Sequence, residues 1–307
     1  MEKRALLLTY GLIFFVMVSW GLNVVMLKLL VEAFPPQTMT AFRILTAGIV
    51  TILIVLFGSS FQSLSKREWR YTLLGMVFGV VLHHTFLAQG LTMIDASNAV
   101  LILALLPLTT ALFAVFFLGE ALTKWRLLGI CFALIGVFFI QGGIGSFQME
   151  KGEVYLFIAM IVQAISFIFI KKTTATLDSK QVTAMMLLFG SIGLLLVSLV
   201  VEPTGVGSMM GASPFIYIVF FFSAIVATAV GHFVFNAAIQ KIGAGQTAIF
   251  NNFVPFFGLV FSAIFLKETI YLYQLVGFLF IVAGVLFGTG YAEKHWVRKV
   301  PIQGKSM

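Results

Sequence analysis

The sequence predicts an all-α integral membrane protein, ten transmembrane helices arranged as two inverted five-helix repeats around a central cavity. Three observations carry this expectation. Apolar residues make up 61% of the 307-residue chain and charged residues only 10%, where a soluble domain has about 45–50% and about 25%. Too few polar side chains are present to cover a surface facing water. The apolar residues also fall in runs of about 20, the length a helix rising 1.5 Å per residue needs to cross about 30 Å of hydrocarbon. Finally, the two halves share residues at a constant offset. A soluble enzyme, a disordered chain and a secreted disulfide scaffold are excluded by the same composition. A membrane β-barrel is set aside because runs such as Val219-Phe220-Phe221-Phe222 do not alternate.

The spans fall at 6–27, 38–57, 71–92, 97–118, 125–140, 154–170, 182–201, 215–239, 246–266 and 272–291. The first follows Met1-Glu2-Lys3-Arg4 but is long enough to cross the bilayer and lacks a small-residue cleavage site, so it is read as a retained span. The second holds Arg43 about a turn inside its outer end. The third carries His83, His84 and Gln89, the fourth Pro107, and the sixth Gln163. The eighth carries His232 and Asn236, four apart and so on one face, and the ninth Asn251, Asn252 and Pro255. The single Cys131, inside the fifth, is assigned to packing.

Orientation follows from the basic residues. With the N-terminus inside, 15 of the 19 Lys and Arg lie on inner segments and 3, namely Lys28, Lys151 and Lys267, on outer ones. That is the positive-inside bias, and it puts both termini in the cytoplasm of a multi-pass protein of the cell (cytoplasmic) membrane. The net charge of +8 is spread over connectors, so it is read as an orientation signal and not as a nucleic-acid surface.

Leu118-Gly119-Glu120 reappears as Leu266-Lys267-Glu268 and Pro107 as Pro255, an offset of 148. At the same offset His84 meets His232, Trp125 meets Tyr273, Gly129 meets Gly277 and Gly136 meets Gly284. Five spans per unit is an odd number, so the second unit enters the bilayer the other way round, an architecture of alternating-access transporters. The units are placed at 1–145 and 146–292, joined by a Gly-rich linker at 141–152 and followed by a basic cytoplasmic tail, 293–307.

Trp20-Gly21-Leu22-Asn23, Phe42-Arg43, and Pro107 followed by Phe117-Leu118-Gly119-Glu120 with Gly129 and Gly136 resemble the EamA pattern of the drug/metabolite transporter superfamily. The resemblance covers nearly the whole chain as two EamA-like units. It implies ten helices, a central substrate cavity and transport of small metabolites, usually export. The second unit departs from it: Lys267 stands where the first has Gly119, and no equivalent of Trp20 or Arg43 is evident.

Polar side chains inside a span are costly and face a cavity or bond a neighbouring helix. Trp20, Asn23, His84, Gln89, Gln163, His232, Asn236 and Asn252 are the candidates for the substrate cavity, with helix-to-helix bonding as the alternative for the amides. His84 and His232, repeat-related and near mid-depth, are also the proton-coupling candidates, since imidazole titrates near neutral pH. Arg43 is read as a cavity-mouth charge that snorkels to the headgroups, pairs with Glu32 or attracts an anionic group. Lys28 and Glu32 are spaced as a helix-end pair. Glu120 and Glu268, preceding the fifth and tenth spans, are structural helix-end carboxylates. Pro107 and Pro255 are hinge candidates, with a static kink as the alternative. Gly75-x-x-x-Gly79 and Gly284-x-x-x-Gly288 fit close helix contacts within the chain or across a dimer, so the oligomeric state, monomer or dimer, stays open.

All 11 carboxylates lie at or near span ends or in connectors. The mid-membrane Glu with which small multidrug transporters of the same superfamily exchange protons for cations therefore has no counterpart. The function expected is secondary active transport of a small organic metabolite, amino-acid-like and zwitterionic or neutral, outward, with proton coupling open. Multidrug or toxic-compound efflux is the alternative. A channel or a membrane-embedded enzyme stands further off, because the sequence has no filter loop, H-E-x-x-H motif or nucleophile elbow. The partners expected are a small-molecule substrate and the lipid bilayer, with no cofactor, metal or nucleic acid.

Overall fold

The structure, a computed structural model, describes residues 2–58, 61–118, 123–140, 149–242, 250–251 and 253–288, the side chains of 2–5, 118, 140, 236 and 239–242 excepted. Among these residues there is no strand. In hydrocarbon every backbone N–H and C=O must be satisfied inside the protein, and a helix does this within one segment.

The helices are α1 (Glu2–Ala33), α2 (Pro36–Gly58), α3 (Lys66–Met76, Val77–Leu82, His83–Leu91), α4 (Ala96–Leu103, Leu106–Leu118) and α5 (Lys124–Ile140). Then come α6 (Lys151–Thr173), α7 (Ser179–Val201), a four-residue helix Gly205–Ser208, α8 (Pro214–Phe221, Phe222–Val230, Gly231–Ile242), α9 (Phe253–Phe261, Ser262–Leu266) and α10 (Leu272–Gly288). Seven of them, α1 to α4 and α6 to α8, are long and apolar enough to cross a membrane, so the protein is multi-pass; α5, α9 and α10 are shorter. For α9, much of the predicted stretch 246–266 lies outside the described residues.

Helix ends depart from the hydropathy runs because polar caps extend them. Ser65 and Glu68 form a capping box that starts α3 ahead of its apolar run, and Glu150 and Glu153 do the same for α6. Expected as a plain span, α3 contains a π-helical stretch at Val77–Leu82, and α8 contains one at Phe222–Val230. The offset of 148 carries the first into the second.

Helix α5 packs along α10 and α2 along α7, while α1 lies against α8 and α9, and α6 against α3 and α4. Glycines make the closest approaches possible. A Cβ on Gly129 would stand 2.6 Å from Gly284 O, and one on Gly136 2.8 Å from Gly277 O. Gly48 meets α7 in the same way, 2.7 Å from Leu188 Cα. Both small-residue motifs are used inside the chain: Gly79 against Ser166 of α6, Gly284 against Ala133 of α5. Cys131 is exposed on α5 and is not a packing residue. Helix α4 breaks at Ala104 and Leu105, and Pro107 sits in the first turn of the resumed half, where a missing N–H costs least. Pro255 is buried near the start of the described part of α9.

Candidate functional site

The polar residues of the spans gather mainly around the π-turn of α8. A π-turn inserts one extra residue and closes its bonds over five residues, which reorients the side chains and carbonyls around it. Here Thr228 Oγ1 donates to Ser223 O at 2.8 Å, five residues back. Two carbonyls of this stretch take side-chain donors: Trp20 Nε1–H reaches Ala227 O at 2.8 Å, and His232 Nδ1–H reaches Thr228 O at 2.7 Å. The Trp20 ring lies 5.4 Å from that of His232 and 5.1 Å from that of Phe235.

Arg43 enters the same cluster from α2. Its Nη1 donates to Thr228 Oγ1 at 2.9 Å and, more weakly, to Ser223 Oγ at 3.5 Å. Ser223 in turn donates to Asn23 Oδ1 at 2.6 Å. Three helices are thereby joined through one chain of donors running from the guanidinium outward. Arg43 is only 2% exposed, its Nε has no hydrogen-bond partner, and no carboxylate pairs with it among the described residues. At that burial it does not snorkel to the headgroups. The Glu32 alternative also fails: Glu32 pairs with Lys28 at 3.4 Å, and the Lys28 ammonium donates to Leu91 O and Ile94 O at the end of α3. Burying an unneutralised cation costs several kcal/mol, so the fold keeps Arg43 where it is against a strong bias. Together with His84 it lines a hollow of about 10 Å³, whose other walls include Leu27, Val31, Thr40 and Leu87.

The π-turn of α3 has the same frame with different side chains. His84 Nδ1–H donates to Val80 O at 3.0 Å, the bond His232 makes to Thr228 at the repeat-related place. Gln163 lies against Gly79, with its Oε1 buried and unpartnered, and Met186 lies against Gly75. Ser166 Oγ donates to Gly75 O at 2.9 Å. His83, whose Nδ1–H donates to Ala159 O at 2.9 Å, has its ring 4.8 Å from that of His84.

Gln89 is not part of this cluster; it lines a separate hollow with Gln37, Thr85, Phe86 and Tyr155. Asn252, Glu120 and the Asn236 side chain lie outside the described residues. Glu268 is a helix-end carboxylate, but for another helix than the spacing suggests. It accepts from Ala96 N at 2.8 Å and Ser97 N at 2.9 Å, so it caps the start of α4 and not of α10. Glu202, not among the sequence candidates, does the same for α2, accepting from Gln37 N and Thr38 N at 3.0 and 2.8 Å. Ser223 and Thr228, the partners of Arg43, were also missed. Their five-residue spacing is a signal only once the π-turn is known.

The EamA-like transporter family matches the chain twice, over residues 7–142 and 150–289. An uncharacterized transporter of Bacillus subtilis (strain 168), YyaM, is 28% identical over 272 residues, which cover 86% of this chain and 87% of that protein. A WAT1-related chloroplastic protein of Arabidopsis thaliana is 24% identical over 265 residues, covering 84% of this chain and 64% of its own. One crystal structure superposes with a TM-score of 0.67 at 19% identity, covering 92% of this chain and 97% of that one, a likeness of fold.

Proposed function

The chain belongs to the EamA-like transporter family, and from that premise we propose that it is a secondary active transporter carrying a small organic metabolite outward across the cytoplasmic membrane by alternating access. The observation that carries this reading is the recurrence of one arrangement in both halves. His84 bonds Val80 as His232 bonds Thr228, and α6 lies against α3 and α4 as α1 lies against α8 and α9. Glycines related by the offset, Gly129 with Gly277 and Gly136 with Gly284, line both sides of the α5–α10 crossing. Such reciprocity supports two units, 1–145 and 146–292, of five helices each and opposite orientation, with both termini and the tail 293–307 in the cytoplasm. A site between two such units opens to either side as they rock. The break in α4 beside Pro107, with Pro255 at the repeat-related place, supplies the hinges.

Trp20, Asn23, His84, Gln163 and His232 offer a ring surface and hydrogen-bonding groups, which suits an amino-acid-like metabolite, zwitterionic or neutral. Coupling to protons is assigned to His84 and His232. In both, Nδ1–H is committed to a carbonyl, so Nε2 is the nitrogen that takes up a proton.

The test is metabolite profiling of the medium from cells with and without the protein, followed by flux of the best candidate in proteoliposomes. A carrier saturates and shows trans-stimulation; flux that rises linearly with concentration overturns the reading in favour of a channel. Cysteines placed at Lys151 and Lys267, both exposed, in a Cys131→Ser background should react with an impermeant reagent from outside. Reaction only from inside would overturn the orientation.

A further inference from the structure

We propose that Arg43 is the anchor for a carboxylate on the permeant, so that the transported metabolite carries a single planar carboxylate group. This deepens the transporter reading and rests on it. Arg43 is nearly fully buried, lines a small hollow with His84, and has no carboxylate partner among the described residues. Nη1 is occupied by two hydroxyls, one of them at 3.5 Å, and Nε has no partner. A guanidinium presents five N–H donors in a planar fork that matches a carboxylate. Desolvation makes a charge-assisted bond there stronger than the same bond in water.

Packing does not require the charge. At the offset of 148, Gly75 and Val80 stand where α8 has Ser223 and Thr228, and the side chain lying against Gly75 is the apolar Met186. The frame therefore closes with apolar residues in one half, while the other half carries a cation and the two hydroxyls that orient it. The residues around Arg43 also decide the charge of the ligand. Arg43 shares its hollow with His84 and bonds the hydroxyls of Ser223 and Thr228, and Lys28 is committed to Glu32 and the end of α3. One fixed positive charge balances one negative charge, which favours a monocarboxylate over a dianionic phosphate. Trp20 and Phe235 beside the cluster favour an apolar or aromatic remainder.

The experiment uses the purified full-length protein and follows its thermal midpoint with benzoate, benzamide, propionate and propionamide, chloride being added to match ionic strength. Both carboxylates should raise the midpoint saturably and the matched amides should not. Arg43→Gln should abolish the shift. Arg43→Lys keeps the charge but loses the fork, and should weaken the apparent affinity about 10-fold; it is also the variant to use if Arg43→Gln does not fold. Carboxylates that stabilise no better than their amides, or a full response in either Arg43 variant, would overturn the anchor. Flux separates this from the broader reading. Saturable flux of a permeant without a carboxylate, unchanged in Arg43→Lys, leaves the transporter standing and removes the anchor. A carboxylate shift abolished by Arg43→Gln, without saturable flux of any profiled metabolite, leaves the anion site and removes the transporter.

Discussion

The π-turns of α3 and α8 share a backbone and differ in chemistry. Each is followed by a histidine whose Nδ1–H returns to the carbonyl four residues back, Val80 in one and Thr228 in the other. Around the first, the neighbours are Gly75, Gly79, Gln163 and Met186; around the second, Ser223, Ala227, Trp20 and Arg43. The contrast separates two tasks. In the proposed reading the duplicated backbone is the frame, whose reciprocity alternating access needs, and substitutions on one copy supply binding chemistry without disturbing it. If so, equivalent changes in the two halves should have unequal effects.

The largest inequality is expected between Trp20 and Gln163, which lie against Ala227 and Gly79 respectively. Trp20→Ala removes a large ring and leaves Ala227 O without its donor, and should cost about 3 kcal/mol, the lower end for such truncations. Gln163→Ala deletes a buried oxygen that has no partner, so it should cost less than about 1 kcal/mol. Equilibrium unfolding in detergent measures both. Equal losses would break the comparison.

Next comes the pair Thr228 and Val80. Thr228→Val takes away the closest bond of a buried cation and should destabilise by roughly 1.5–3 kcal/mol. Val80→Thr introduces a hydroxyl that can bond back into its own helix, and should stay within about 1 kcal/mol. A further exchange converts one half into the other. In Gly79→Ala the added methyl would meet Ser166, 2.7 Å from its Cβ, so α6 must shift, at about 1–2 kcal/mol. Ala227→Gly should cost only the helix propensity, about 0.8–1 kcal/mol.

Much of this contrast was legible in the sequence, and the illegible part has physical causes. Hydrocarbon length and backbone satisfaction constrain spans strongly, so α1 to α4 and α6 to α8 lie where the apolar runs predict. Trp20, Asn23, Arg43, His84 and His232 stood out because polar groups in a span are expensive. Their partners did not, since Ser223 and Thr228 look like ordinary small residues until a π-turn brings them to one side. Glu268 pointed to α10, its neighbour in sequence; packing brings the end of α9 to the start of α4, and only the fold reports that. Cys131 was misassigned because a helix that is apolar all round gives no period from which to tell a lipid-facing side from a packed one.

The smallest effect on stability, and the sharpest on function, is expected at the one pair the two halves share. Glutamine in place of His84 or His232 keeps a donor that can reach the helix carbonyl, so unfolding should change by less than about 1 kcal/mol in either variant. What glutamine lacks is a second ring nitrogen that can take up a proton. In proteoliposomes with an imposed pH gradient, each variant should lose the gradient-driven part of the flux while substrate exchange at equal pH continues. The two halves should behave alike here, in contrast to every other pair, because the bond that orients each imidazole is the same. Loss in only one variant would place coupling in a single half. Gradient-driven flux unchanged in both would remove the imidazoles from the coupling step and leave the shared histidines a structural feature of the duplicated frame.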